Sequence, residues 1–207
     1  MTRHLIAAAA AGLFAVCAPA AQAADIVEEW ASVKVAPPAL KPVTVDAKTT
    51  ALIVADMMKQ NCGQRPRCLA SVPAAKKLLT AARAAKAAVV YTIIANSTIA
   101  DVLPDLAAEQ GDPSVLSGPD KFLRTDLEKI LKDKGIATVI VIGTSANGAV
   151  LYTASGAVFR GMNAIIPVDG MSAVDAYAEY GAVLTFMSAP QVSAKSTLTR
   201  SDMMKFQ

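Results

Sequence analysis

Apolar residues follow two rhythms along this chain. Some form unbroken runs: Ala51-Leu52-Ile53-Val54-Ala55, which ends at Asp56; Ala88 to Ala95; Ala137-Thr138-Val139-Ile140-Val141-Ile142, which ends at Gly143; and Asn163 to Val168, which ends at Asp169. A continuous run of this length predicts a parallel strand covered on both faces. Longer mixed stretches separate the runs. Pro73 to Lys86 sets Lys and Arg among many alanines and predicts a helix, with Pro73 in its first turn. Thr125 to Lys134 predicts a second helix, stopped by Gly135, and Asn147 to Arg160 a third, stopped by Gly161. Ser172 opens another, with Asp175 at a capping-box spacing. A short last strand is expected near Ser196 to Thr199. The stretch from Asn96 to Pro119, broken by Pro104 and Pro113, reads as irregular.

Strands alternating with helices predict an α/β fold of three layers, a mostly parallel central sheet with helices on both faces. Ligands in such sheets bind beyond the C-terminal ends of the strands, where strand order reverses. Asp56, Gly143 and Asp169 all fall at such ends.

The first 48 residues depart from this rhythm. Arg3 and His4 precede an apolar, Ala-rich run from Leu5 to Ala20, followed by Ala21-Gln22-Ala23 and Asp25. That is the pattern of a secretory signal peptide over residues 1–23, cleaved after Ala23, and it predicts a periplasmic or secreted product. Residues 24–48 carry Trp30, Pro37, Pro38 and Pro42 with little periodicity, and read as an extended Pro-rich arm. Residues 49–207 make up the predicted domain. No later stretch is apolar and long enough to span a membrane, so no membrane contact is expected after cleavage.

Composition narrows the chemistry. An apolar fraction of 54% with 18% charged residues excludes intrinsic disorder. Twenty Lys+Arg against 17 Asp+Glu, without basic clusters, gives no footprint for nucleic acid. The single histidine is His4, inside the predicted leader. Its removal would exclude Ser-His-Asp, Cys-His and histidine-ligated metal sites together, so neither a metal nor a cofactor is expected. Of three cysteines, Cys17 would also be lost, leaving Cys62 and Cys68 around a turn with Gly63 and Pro66. In an oxidising compartment these are expected to form a disulfide, which for so short a loop stabilises by roughly 2.4 kcal/mol.

Two strand ends could carry chemistry. Asp56 would be partly desolvated at the end of its strand, which suits proton transfer, although a carboxylate there can equally cap a neighbouring loop. Gly143-Thr144-Ser145-Ala146-Asn147-Gly148-Ala149 is a strand-to-helix turn of small residues, an anion or oxyanion site in outline. It lacks the spacing of a phosphate-binding loop.

These segments together resemble the isochorismatase-like cysteine hydrolases. Thr50 to Met57 resembles their first strand and its Asp; Phe122, Thr125 and Leu127 match a Phe-x-x-Thr-x-Leu segment. Gly143 to Ala154 is similar to their Gly-x-x-Thr-Asn-x-Cys-Val-x-x-Thr-Ala element. The likeness spans roughly residues 48 to 200. It implies an Asp, a Lys and a nucleophilic Cys acting on amide, ester or vinyl-ether bonds, and self-association into dimers or larger. Carried over by position, Asp56 keeps the acid/base place, Ala149 fills the nucleophile's and Leu116 the lysine's; Lys121, five residues further on and directly before Phe122, is a second candidate for the lysine that only a shifted loop would bring in. Some relatives hold a metal through Asp and His near the second strand, where this chain offers Asp101 and Asp105 but no His. The expected binding residues are Leu116, Thr144, Ser145, Ala146, Asn147 and Gly148.

Three readings stand at this point. The chain is a non-catalytic member retaining a small-molecule pocket. Or it hydrolyses small amides or esters by another route: water activated by Asp56, the Thr144 or Ser145 hydroxyl, or a reduced Cys62. Or it is a scaffold using its arm, with Trp30 as anchor, or an oligomer face.

Overall fold

The computed structural model describes residues 25–207, in two units, one reaching to Pro37 and the other Pro38–Gln207. The expected signal peptide, with His4 and Cys17, lies outside the described residues. In the first unit, α1 (Ile26–Glu29) is capped by Asp25, whose carboxylate accepts from the Val27 and Glu28 N–H groups, and Trp30 is exposed.

The second unit runs β1 (Val43–Val45), β2 (Thr50–Ala55), α2 (Pro66–Ala84), β3 (Ala88–Ile93), β4 (Ser114–Leu116), α3 (Leu127–Asp133), β5 (Thr138–Thr144), α4 (Leu151–Phe159), β6 (Asn163–Pro167), β7 (Met171–Ser172), α5 (Ala176–Ser188), α6 (Val192–Lys195), β8 (Ser196–Thr199) and β9 (Met204–Phe206). The main sheet has the order β4-β3-β2-β5-β6-β8, with β7 against the end of β5, and every pairing in it is parallel. β1 and β9 form a separate parallel pair.

Successive strand residues face opposite sides, so each apolar run feeds two cores. Ala51, Ile53, Val139 and Val141 pack with Leu131 of α3, Ala154 of α4 and Phe186 of α5. Leu52, Val54, Ile140 and Ile142 pack with Val72, Leu78 and Leu79 of α2. The fold is therefore the expected α/β sandwich of three layers. From β2 the chain builds outward through β3 and β4, then returns to β5 on the other side and builds through β6 and β8. Strand order thus reverses between β2 and β5, and the crevice at their C-terminal ends is where such a sheet binds ligands.

Several element boundaries differ from the sequence reading. α2 begins at Pro66, not Pro73, because Pro66 takes the first helical position where no N–H is needed. Pro73 sits inside the helix, which carries on through it because Cys68, Val72 and Ala75 are all buried. α5 begins at Ala176: Asp175 is its cap, accepting from the Ala178 N–H at 2.8 Å, and Ser172 belongs to β7. The stretch expected to be irregular contains β4, paired with Tyr91, Thr92 and Ile93.

Candidate active site

The site forms where β2 and β5 end side by side. Ala55 pairs in register with Gly143, and the backbones approach so closely that a Cβ on Gly143 would lie 2.0 Å from the Ala55 carbonyl oxygen. Only glycine fits there, and its φ of +125° also favours glycine. Asp56, the next residue after β2, has φ +53°, a left-handed conformation that is rare for a residue with a side chain and concentrates at functional sites.

That conformation places the Asp56 carboxylate between two partners. Thr92, beside Ala55 in β3, donates its hydroxyl to Asp56 Oδ1 at 2.6 Å and accepts the Asp56 N–H at 3.2 Å. Lys121 donates from Nζ to Asp56 Oδ2 at 2.7 Å and to the Ser117 carbonyl at 3.4 Å. The lysine is 0% exposed. A buried ammonium is costly unless it is paired and hydrogen-bonded, and here it is both.

This corrects the expectation that put Leu116 in the lysine's place. Leu116 ends β4, is half-exposed and contributes only an apolar wall. Lys121 is brought in because the following segment is pinned. Phe122 is buried with the Arg160 guanidinium 4.2 Å above its ring, its N–H donates to Asp120 Oδ1 at 3.0 Å, and the Thr125 hydroxyl donates to the Lys121 carbonyl. With Phe122 fixed on one side, the Lys121 side chain points back to Asp56.

The turn after β5 is wound as a single wide π-turn over Ala146–Val150, closed by the Val150 N–H donating to the Ser145 carbonyl at 3.1 Å. Such turns recur at functional sites. The Thr144–Ser145 peptide is cis. The Thr144 hydroxyl donates to the Ser172 carbonyl at 3.2 Å, and the Ser145 hydroxyl donates to Asn147 Oδ1. Thr144, Ser145, Gly148 and Ala149 line a cavity of about 450 Å³ together with Asp56. Two of the expected binding residues do not line it: Ala146 is in the core and Asn147 faces outward.

Ile94, Ala95, Leu116 and Pro119 give the cavity an apolar side, and Asn61 and Arg65 close another. Sequence reasoning missed Thr92 and Arg65. Thr92 carried one faint signal, a polar residue near the end of an otherwise apolar run. Cys62 and Cys68 are joined, with Cα atoms 5.3 Å apart, and both are buried. Cys62 therefore presents no thiol to the cavity while the bond stands, and the route through it requires reduction first.

Among the described residues no group of three or more His, Cys, Asp or Glu is placed to hold a metal ion. Asp101 accepts from Thr98, and Asp105 pairs with Lys76. No helix among the described residues is long and apolar enough to cross a membrane.

Comparison with known proteins places these features. No curated protein sequence matches the chain. A cysteine hydrolase from Pseudomonas syringae pv. phaseolicola superposes over 80% of this chain and 94% of its own, with TM-score 0.69 and 23% identity. An N-carbamoylsarcosine amidase from Thermoplasma acidophilum covers 74% of this chain and 97% of its own, with TM-score 0.64 and 25% identity. A nicotinamidase from Staphylococcus aureus shares the fold at 15% identity, with TM-score 0.63 over 72% of this chain and 96% of its own. The sequence itself matches the Isochorismatase domain over residues 50–197. A parallel sheet with this switch point, carrying Asp56 and the turn after β5, is thus built on that domain, and the chain belongs to the isochorismatase family.

Proposed function

We propose that the protein binds a small molecule in the cavity at the strand ends and does not use the cysteine-hydrolase mechanism. The observation that carries this is Ala149, whose methyl group lines the cavity together with Asp56 while the Asp56–Lys121 pair is intact. A methyl group cannot attack a carbonyl, and both described cysteines are tied in a disulfide. Hydroxyl routes have little support: Thr144 and Ser145 each already donate to a fixed acceptor, and neither is bonded to Asp56. The protein acts outside the cytoplasm, a reading supported by the N-terminal sequence pattern and the Cys62–Cys68 bond. Self-association, implied by the resemblance, belongs to the same proposal, and a monomer in sedimentation would remove it.

One second reading is favoured by a specific observation. The retained Asp56–Lys121 pair could orient a water for hydrolysis of a small amide or ester. Assaying the wild type, Asp56→Ala and Ala149→Cys against a panel of small amides and esters separates the two. The expected outcome is a silent wild type and measurable turnover in Ala149→Cys, with a burst of one equivalent of product if an acyl-enzyme accumulates. Turnover in the wild type that Asp56→Ala abolishes would overturn the binding-only reading.

A further inference from the structure

The cavity carries an uncompensated positive charge. Asp56 is matched by Lys121 at 2.7 Å, so that pair contributes no net charge. Arg65, solvent-exposed at the mouth, is the other charged residue in the lining, and among the described residues its guanidinium has neither a carboxylate partner nor a hydrogen-bond acceptor, so its charge is free to meet a ligand. Its neighbour Arg67 makes the contrast plain: it is spent on Glu179, with Nε at 2.8 Å from Oε1 and Nη2 on Oε2.

The backbone beneath Arg65 is held from both sides. Its N–H donates to the Cys62 carbonyl at 2.9 Å, its carbonyl accepts the Leu69 N–H at 3.0 Å, and the Cys62–Cys68 bond closes the loop around it. Only the side chain has to be ordered when it meets a ligand, which lowers the entropic penalty of binding. Ile94, Ala95, Leu116 and Ala149 supply apolar surface beside the polar Asn61, Thr144 and Ser145.

We propose that the ligand is a small organic monocarboxylate, its apolar body against Ile94, Leu116 and Ala149 and its carboxylate held by Arg65. The guanidinium offers parallel N–H donors in a planar fork that matches the two oxygens of a carboxylate. A cavity of about 450 Å³ suits a molecule of one ring or a short branched chain. This inference rests on the proposal that the cavity is a binding site, and adds the class of ligand.

Benzoate and benzamide are matched in shape and differ in charge, which makes them suitable probes. Calorimetric titration of the full protein at low salt is expected to show benzoate binding about tenfold or more tightly than benzamide. Arg65→Met is expected to erase that preference with an unchanged circular-dichroism spectrum and melting temperature. Arg65→Lys is expected to retain only part of it, because an ammonium lacks the fork. Equal binding of the two probes by the wild type, or a preference that survives Arg65→Met, overturns the carboxylate assignment and leaves the cavity as a binding site. No binding of either probe at millimolar concentration overturns both proposals.

Discussion

A single buried ion pair sets the character of the site at the residue scale. Lys121 is wholly buried and Asp56 nearly so, its carboxylate at the edge of the cavity, and each depends on the other for its counter-charge. Removing one partner leaves the other charge largely buried and without its counter-charge, so Lys121→Met is expected to destabilise the protein by about 3 kcal/mol. Adding Asp56→Asn to that variant removes the stranded charge and is expected to recover part of the loss; urea denaturation of the two single variants and the double gives the coupling. An equal or larger loss in the double variant would show that the pair is not the main contributor. Asp56 and Ala149 were legible in the sequence because each sits at a fixed offset from a long apolar strand. Lys121 was legible only as a candidate beside Leu116, because counting residues from Phe122 points to Leu116, while its actual place is set by the burial of Phe122 and the turn that follows. Arg65 left no periodic trace at all, since it lies in a loop whose path is set by Cys62 and Cys68.

Elements differ in how firmly they are held. β2 and β5 lie in the middle of the sheet, buried on both faces, and their unbroken apolar runs announced them. β4 has three residues and one sheet neighbour, too little for a recognisable pattern among prolines. The start of α2 was missed for a related reason: Pro66 and Pro73 both look like a first helical turn, and only the burial of Cys68 and Val72 shows which one is. Among the side chains that fasten the segment between β3 and β4 is Tyr91, whose hydroxyl donates to the Leu106 carbonyl at 2.9 Å and accepts from Arg83 at 3.2 Å. Burial pushes its phenol above the ordinary value of 10, outweighing the opposing pull of Arg83. The unfolded chain releases this proton near pH 10 while the folded chain still holds it, so stability falls as pH rises through that value. In Tyr91→Phe that part of the alkaline decline is expected to disappear, as read from melting temperatures across pH 9–11. An unchanged decline would place its origin elsewhere.

On the scale of the whole molecule, the reversal of strand order between β2 and β5 determines where a ligand can sit; alternating strands and helices announced a site at the strand C-terminal ends, but which strands flank it depends on pairings that the sequence pattern does not carry. The pairing of β1 with β9 was not announced either, because three-residue strands far apart in the chain carry no local signal of each other. It is nonetheless well made: the Ala47 N–H donates to the Gln207 carbonyl and the Gln207 N–H donates to the Val45 carbonyl, both at 2.9 Å. Deleting residues 204–207 is expected to lower stability by on the order of 2 kcal/mol, and to expose the chain before β2 to limited proteolysis. A deletion variant as resistant as the full chain would show that β1 holds its place unaided.

The same pairing has a consequence in time. Val43 meets Met204, about 160 residues later in the chain. At a synthesis rate of roughly 5–20 residues per second, β1 leaves the ribosome on the order of ten to thirty seconds before its partner exists. Throughout that interval the neighbouring strand edge is open, and a chaperone or another nascent chain can pair with it. The last strand to be made is the one that closes the first.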